Sequence, residues 1–284
     1  MTLTAACFLL SHGGLAAPAV VKAEPLVIGE TFTIDSTILH EKRRINVYRP
    51  ETPGAPEGPL PVLYMPDGGM NEDFLHIAGL LEVLVGNGTM RPFLLVGIAN
   101  TERRRDLTGP TASESDRKIA PRVGGSAAFR AFIREELMPA VRRRYRTTAE
   151  SAIVGESLAG LFVVETFLLE PDLFDTYVAI DPSLWWNDGK LLDGAAALLR
   201  ARPSLRKTIY FASSSEERGE VSPTKRLAEI LAQNAGPGVR WTYEPMPEEK
   251  HSTIYHPAAL RAFRSLFAPA EPQKSLQSSH PGTN

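Results

Sequence analysis

Cysteine is almost absent from this chain, which has one thiol, Cys7, in 284 residues. No intrachain disulfide can form, and no cysteine set can hold a metal. Net charge is equally scarce, because 31 Lys and Arg offset 33 Asp and Glu to leave −2. Nucleic acid and anionic membrane surfaces are therefore not expected as partners, despite short arginine runs at Arg103–Arg105 and Arg142–Arg144. Long apolar runs are missing too; none approaches the ~20 residues that a membrane-spanning helix needs. No internal repeat or long heptad pattern is visible, which leaves the oligomeric state open.

What is present is an ordinary globular composition, 43% hydrophobic and 23% charged, at a length that one α/β domain can fill. Residues 1–20 have the apolar run and small residues of a secretory leader but no Lys or Arg before the run. Periplasmic or secreted and cytoplasmic locations both stay open. Residues 269–284, rich in Pro, Ser, Gln and Gly, read as a disordered tail. The span between, 25–268, reads as one domain.

Within that span, Leu26–Ile34 and Arg44–Tyr48 alternate apolar and polar residues, as half-buried antiparallel strands do. Pro61–Met65 and Pro92–Ile98 are nearly continuous apolar runs, suited to strands covered on both faces, and they bracket a helix near Phe74–Val85. Ala127–Arg144 has helical spacing. Beyond residue 160 the pattern alternates: strands at Thr176–Ile180, Thr208–Ala212 and Arg240–Glu244, with helices at Leu191–Arg200, Thr224–Gln233 and Pro257–Phe267. This order predicts an α/β fold, a mostly parallel twisted sheet with helices on both faces.

The most chemically loaded segment is Ser151–Gly160, SAIVGESLAG, an apolar strand running into Gly155-Glu156-Ser157-Leu158-Ala159-Gly160 and then an apolar helix. A strand that turns sharply into a helix, with serine at the bend and small residues two before and two after it, has the form of a nucleophile elbow. An ordinary strand-to-helix turn with Ser157 as N-cap is the plainer alternative. The elbow would aim the first helical N–H groups at a developing oxyanion and predicts acyl-transfer chemistry.

Such a serine needs a base, and histidine suits neutral pH. Of the six histidines, His251 lies in a loop after the last strand and is favoured over His256, which directly precedes Pro257. The carboxylate should fall between the two in chain order. Glu216, in the polar loop after Thr208–Ala212, is the first choice, with Glu217 its rival and Asp181 the alternative. Leu158 should supply one oxyanion N–H, and Gly69 or Met70 the other, from the loop Asp67-Gly68-Gly69-Met70. Trp185 and Trp186 are candidate walls of a substrate pocket. Arg105, within Arg103–Arg105, is a candidate for an anionic substrate group or a structural partner of Asp106. No metal or organic cofactor is expected.

Four segments in fixed order, Pro61–Gly69, Val96–Thr108, Gly155–Phe162 and Ala179–Trp186, resemble the esterase D-type esterases of the α/β-hydrolase superfamily, the branch that contains trilactone siderophore esterases. The likeness covers about residues 25–268. It implies an α/β-hydrolase fold, Ser157 as nucleophile and His251 as base, acting on a small-molecule ester or lactone. Two departures stand out: Glu156 where many relatives carry histidine, and Ala159 where glycine is commoner. A serine carboxylesterase is the leading expectation, with siderophore trilactone hydrolysis as an alternative specific activity; the sequence does not name the ester. An acyltransferase would use the same residues, and a non-catalytic binding protein is the remaining class.

Overall fold

The computed structural model describes residues 22–51, 58–216 and 222–269. The expected leader, the tail beyond residue 269 and Glu217 lie outside the described residues. Eight strands form one sheet: β1 (Glu30–Ser36), β2 (Glu41–Tyr48), β3 (Leu60–Pro66), β4 (Leu94–Ile98), β5 (Thr147–Glu156), β6 (Thr176–Ile180), β7 (Thr208–Ser213) and β8 (Arg240–Pro245), in spatial order β1-β2-β4-β3-β5-β6-β7-β8. β1 pairs antiparallel with β2 and β2 with β4; every other pairing is parallel.

β1 begins four residues later than its alternation suggests. The tight connection that ends at His40, whose φ is 55°, fixes the hairpin register from Ser36↔Glu41 to Glu30↔Val47. Leu26 to Gly29 therefore precede the paired segment.

Alternation along the central strands sorts their side chains to two cores. Leu63, Met65, Ala152 and Val154 face a layer built on helices α1 (Phe74–Gly86) and α9 (Tyr255–Leu266). Tyr64 and Ile153 face the opposite layer with Phe129, Phe132 and Phe162. That second layer holds α4 (Ser126–Phe132), α5 (Met138–Arg144), α6 (Leu158–Leu169), α7 (Lys190–Arg200) and α8 (Pro223–Asn234). Two short helices, α2 (Arg103–Leu107) and α3 (Glu114–Ile119), lie between β4 and α4.

The helix expected over 127–144 is present with a widened π turn at Ile133–Leu137 between α4 and α5. Pro139 has no N–H to close a bond to residue 135, and its ring crowds that carbonyl, so a locally wider turn relieves both. In α6, eleven of twelve residues are buried, all but Leu169, so it is a central helix with no solvent face.

The connectivity creates one topological switch point. The chain leaves β3 for β4 on one side, then returns to β5 on the other, opening a crevice beyond the carboxyl ends of β3 and β5. Open parallel sheets hold their ligands in such a crevice. Three non-glycine residues at strand ends on this edge have left-handed φ: Asp67 after β3 (56°), Ser157 after β5 (61°) and Asp181 after β6 (43°). Each such position typically costs ~1–3 kcal/mol, and such strain gathers at functional sites.

Candidate active site

Ser157 occupies the strained bend itself, with φ 61° and ψ −119°, between the last residue of β5 and the first of α6. Neighbours on both sides hold it there: its N–H donates to Ile180 O at 3.0 Å, and its carbonyl accepts from Leu161 N at 2.9 Å and Ser183 N at 3.0 Å. The turn is possible because Gly155 lacks a side chain. A Cβ there would stand 2.6 Å from the Ala159 carbonyl carbon and 2.7 Å from its methyl. Leu158, as first residue of α6, carries one of the N–H groups that have no partner within the helix.

His251 meets this serine. Its Nε2 lies 3.1 Å from Ser157 Oγ, and its Nδ1 lies 2.5 Å from Asp181 Oδ2. An ionised carboxylate only accepts, so in the neutral imidazole the proton sits on Nδ1 and leaves the Nε2 lone pair facing the serine hydroxyl. Asp181 is fixed in turn by Ser214, whose N–H reaches Oδ1 and whose hydroxyl reaches Oδ2, both at 2.8 Å. Burial pushes the Asp181 carboxyl up, but the bonds from His251 and Ser214 outweigh it and hold the group below its ordinary value. The imidazole shifts the other way. Its bond to Asp181 raises it against the opposing effect of burial, with the charges of Glu156, Asp181 and Glu216 adding to the rise.

Glu216 does not touch the imidazole ring; its carboxylate accepts from the His251 backbone N–H at 3.1 Å. Asp181 takes the ring position because β6 ends directly beside the elbow, whereas the loop after β7 lies one strand further out and anchors the histidine loop. His256 is engaged elsewhere, with Nδ1 2.9 Å from His76 Nε2.

The other expectations divide. Trp185 lines a cavity of about 340 Å³ together with Ser157, Asp181, Pro182, Ser183, Glu216, Pro223 and His251. Trp186 is core, 4% exposed, and its indole N–H donates to Gly109 O at 2.9 Å. Arg105 is structural: it binds Glu41 (2.7 Å) and Asp106 (2.6 Å), whose partners include the fully buried Arg43. These neighbours consume its donors and hold it away from the cavity. The Gly69 N–H is also engaged, donating to Glu72 Oε2 at 2.6 Å.

Two polar groups on this edge make contacts that sequence reasoning did not assign to them. Glu156 Oε1 lies 3.4 Å from His251 Nε2. Arg103 grips Asp67 through both Nε (2.7 Å) and Nη2 (2.8 Å), bracing the glycine loop after β3. Glu156 was visible as a departure from the family pattern; nothing in the string of residues said which way Arg103 would turn.

Among the described residues no group of three or more His, Cys, Asp or Glu is arranged to hold a metal ion, and no helix is long and apolar enough to cross a membrane.

Comparison with known proteins identifies the family. A family model described as "Putative esterase" matches residues 36–272. Ferri-bacillibactin esterase BesA of Bacillus subtilis is 29% identical over 265 residues, covering 84% of this chain and 89% of that protein. A siderophore triacetylfusarinine C esterase of Aspergillus fumigatus is 34% identical over 163 residues, 51% of each. Among solved structures, an IroE-like serine hydrolase from Shewanella oneidensis superposes with a TM-score of 0.74 at 27% identity, over 84% of this chain and 80% of that one. The chain belongs to this esterase family of the α/β-hydrolase fold and is a serine-type enzyme acting on carboxylic ester bonds.

Proposed function

We propose that the chain hydrolyses the ester linkages of a siderophore, with Ser157 as nucleophile, His251 as base and Asp181 as the carboxylate that orients it. The observation that carries this reading is the unbroken chain Ser157 Oγ to His251 Nε2 to Asp181 Oδ2, at 3.1 and 2.5 Å, opening into the cavity beside Trp185. Ser157 Oγ attacks the ester carbonyl carbon while its proton passes to Nε2, and the imidazolium returns that proton to the leaving alkoxide. Water then repeats the sequence on the acyl-serine and releases the acid.

The oxyanion is held by Leu158 N–H and a second donor from the loop after β3. Met70 is the better candidate there, because the Gly69 donor is occupied by Glu72. The substrate class rests on the relatives, which are named for esters of ferri-bacillibactin and triacetylfusarinine C. The test is to incubate the purified chain with a cyclic catechol trilactone, iron-free and iron-loaded, beside simple short-chain esters, and follow products by mass spectrometry. Ring opening of the trilactone is expected. Turnover of simple esters with an intact trilactone would reject the siderophore assignment and leave the esterase standing.

A further inference from the structure

Two oxygens address the same nitrogen of His251. Ser157 Oγ lies 3.1 Å from Nε2 and Glu156 Oε1 lies 3.4 Å from it. The serine contact is a hydrogen bond and the carboxylate contact is within ion-pair distance of the same nitrogen, so the two compete for its proton. They also demand opposite protonation: the serine donates its hydrogen to a bare Nε2, whereas a carboxylate accepts one from Nε2–H.

Glu156 cannot easily withdraw from this contest. As the last residue of β5 it is paired with Ile180 of β6, and its side chain is only 16% exposed. Resting on the Ser157–His251 reading above, we propose that Glu156 is a positioning carboxylate that shares a proton with Nε2 of the resting imidazole. The base is then released only when the Glu156–His251 pair gives up that proton, at a higher pH than Asp181 alone would set. The imidazole thus has a carboxylate on each nitrogen: Asp181 fixes the tautomer from Nδ1, and Glu156 sets the availability of Nε2.

The surroundings fit that role. The groups facing Glu156 are His251, Arg103 at the start of α2, Asp73 before α1, Asp181 at the end of β6 and Tyr255 on α9. Burial raises the Glu156 carboxyl to about 7, with the charges of His251 and Arg103 pulling it down and those of Asp73 and Asp181 pushing it up. Its ionisation therefore overlaps that of the imidazole, and the two titrate as a pair. The sign follows directly. A negative Glu156 raises the His251 pKa, esterase action needs neutral His251, and so the acidic limb of kcat/KM moves to higher pH.

The experiment is the pH profile of kcat/KM on an uncharged ester for the wild type, Glu156→Gln and Glu156→Asp, with Ser157→Ala as control. Glu156→Gln should move the acidic limb to lower pH by on the order of one unit, and Glu156→Asp, whose charge stands further from Nε2, should fall between. Superimposable limbs with Ser157→Ala inactive would overturn the role of Glu156 alone; an active Ser157→Ala would instead overturn the underlying nucleophile assignment. Should Glu156→Gln fail to fold, NMR titration of the His251 ring in the wild type decides. Two coupled steps are expected, and a single step at the ordinary imidazole value refutes the proposal.

Discussion

Replacing Asp181 by Asn keeps the side chain's size but lets an amide N–H face Nδ1, which favours the imidazole tautomer whose proton sits on Nε2, pointing at the serine. Asp181→Asn is expected to lower kcat by ~10⁴-fold, and Ser157→Ala by ~10⁶-fold. Glu216→Gln should retain activity within several-fold, because the amide oxygen can still accept the His251 backbone N–H. Steady-state kinetics on one chromogenic ester ranks the three; a Glu216→Gln loss as large as that of Asp181→Asn would return the acid to the loop after β7. The tryptophans separate by the same logic. Trp185→Ala should raise KM with the fold intact, while Trp186→Ala empties a core position and should cost ~3–5 kcal/mol by denaturant unfolding. Sequence could nominate these residues but not aim them. Asp181-Pro182 reads as a turn cap, and nothing in the order of residues says that a φ of 43° will point its carboxylate at a histidine seventy positions on. Adjacent tryptophans likewise differ only in the direction the backbone takes.

At the level of elements, sequence was a better guide, because strand and helix periods are set by burial of neighbours along the chain. The continuous apolar runs of β3 and β4 and the later strand–helix alternation all appear where the pattern put them. What it missed depends on distant partners: the register that delays β1, the π turn at Ile133–Leu137, and the short helices α2 and α3, which are too brief to show a period. The elbow was legible for a physical reason, since the sharp turn admits only small residues at fixed offsets. Gly155→Ala tests that reason. The added methyl would meet backbone at 2.6 Å, so β5 and α6 must separate. The expected result is a loss of ~1–3 kcal/mol in stability and a larger proportional loss in kcat, because Ser157 is displaced from Nε2. Wild-type kcat in a folded Gly155→Ala protein would show that the bend is more tolerant than its packing implies.

For the whole molecule, the same carboxylates make stability depend on pH in opposite directions. Asp181, held below its ordinary value, contributes stability that is present above the unfolded carboxyl pKa and lost as pH falls through its folded value. Glu156 behaves inversely, because its folded pKa, about 7, lies above its ordinary 4.5. Below the lower value both folded and unfolded chains carry the proton, and nothing is lost. Between the two values the unfolded chain releases its proton while the folded one keeps it, so stability declines as pH rises, and above about 7 the full cost of the buried charge is present. Glu156→Gln removes that cost, on the order of 3 kcal/mol at ~1.4 kcal/mol per pKa unit. Thermal unfolding of variant and wild type at a series of pH values should therefore show nearly constant spacing in acid. The gap should then widen in favour of the variant by about 6–12 °C as pH rises from about 4.5 to about 7. A spacing that stays flat across this range would mean that Glu156 is ionised in the folded chain at little cost, with Arg103 and His251 already compensating its burial.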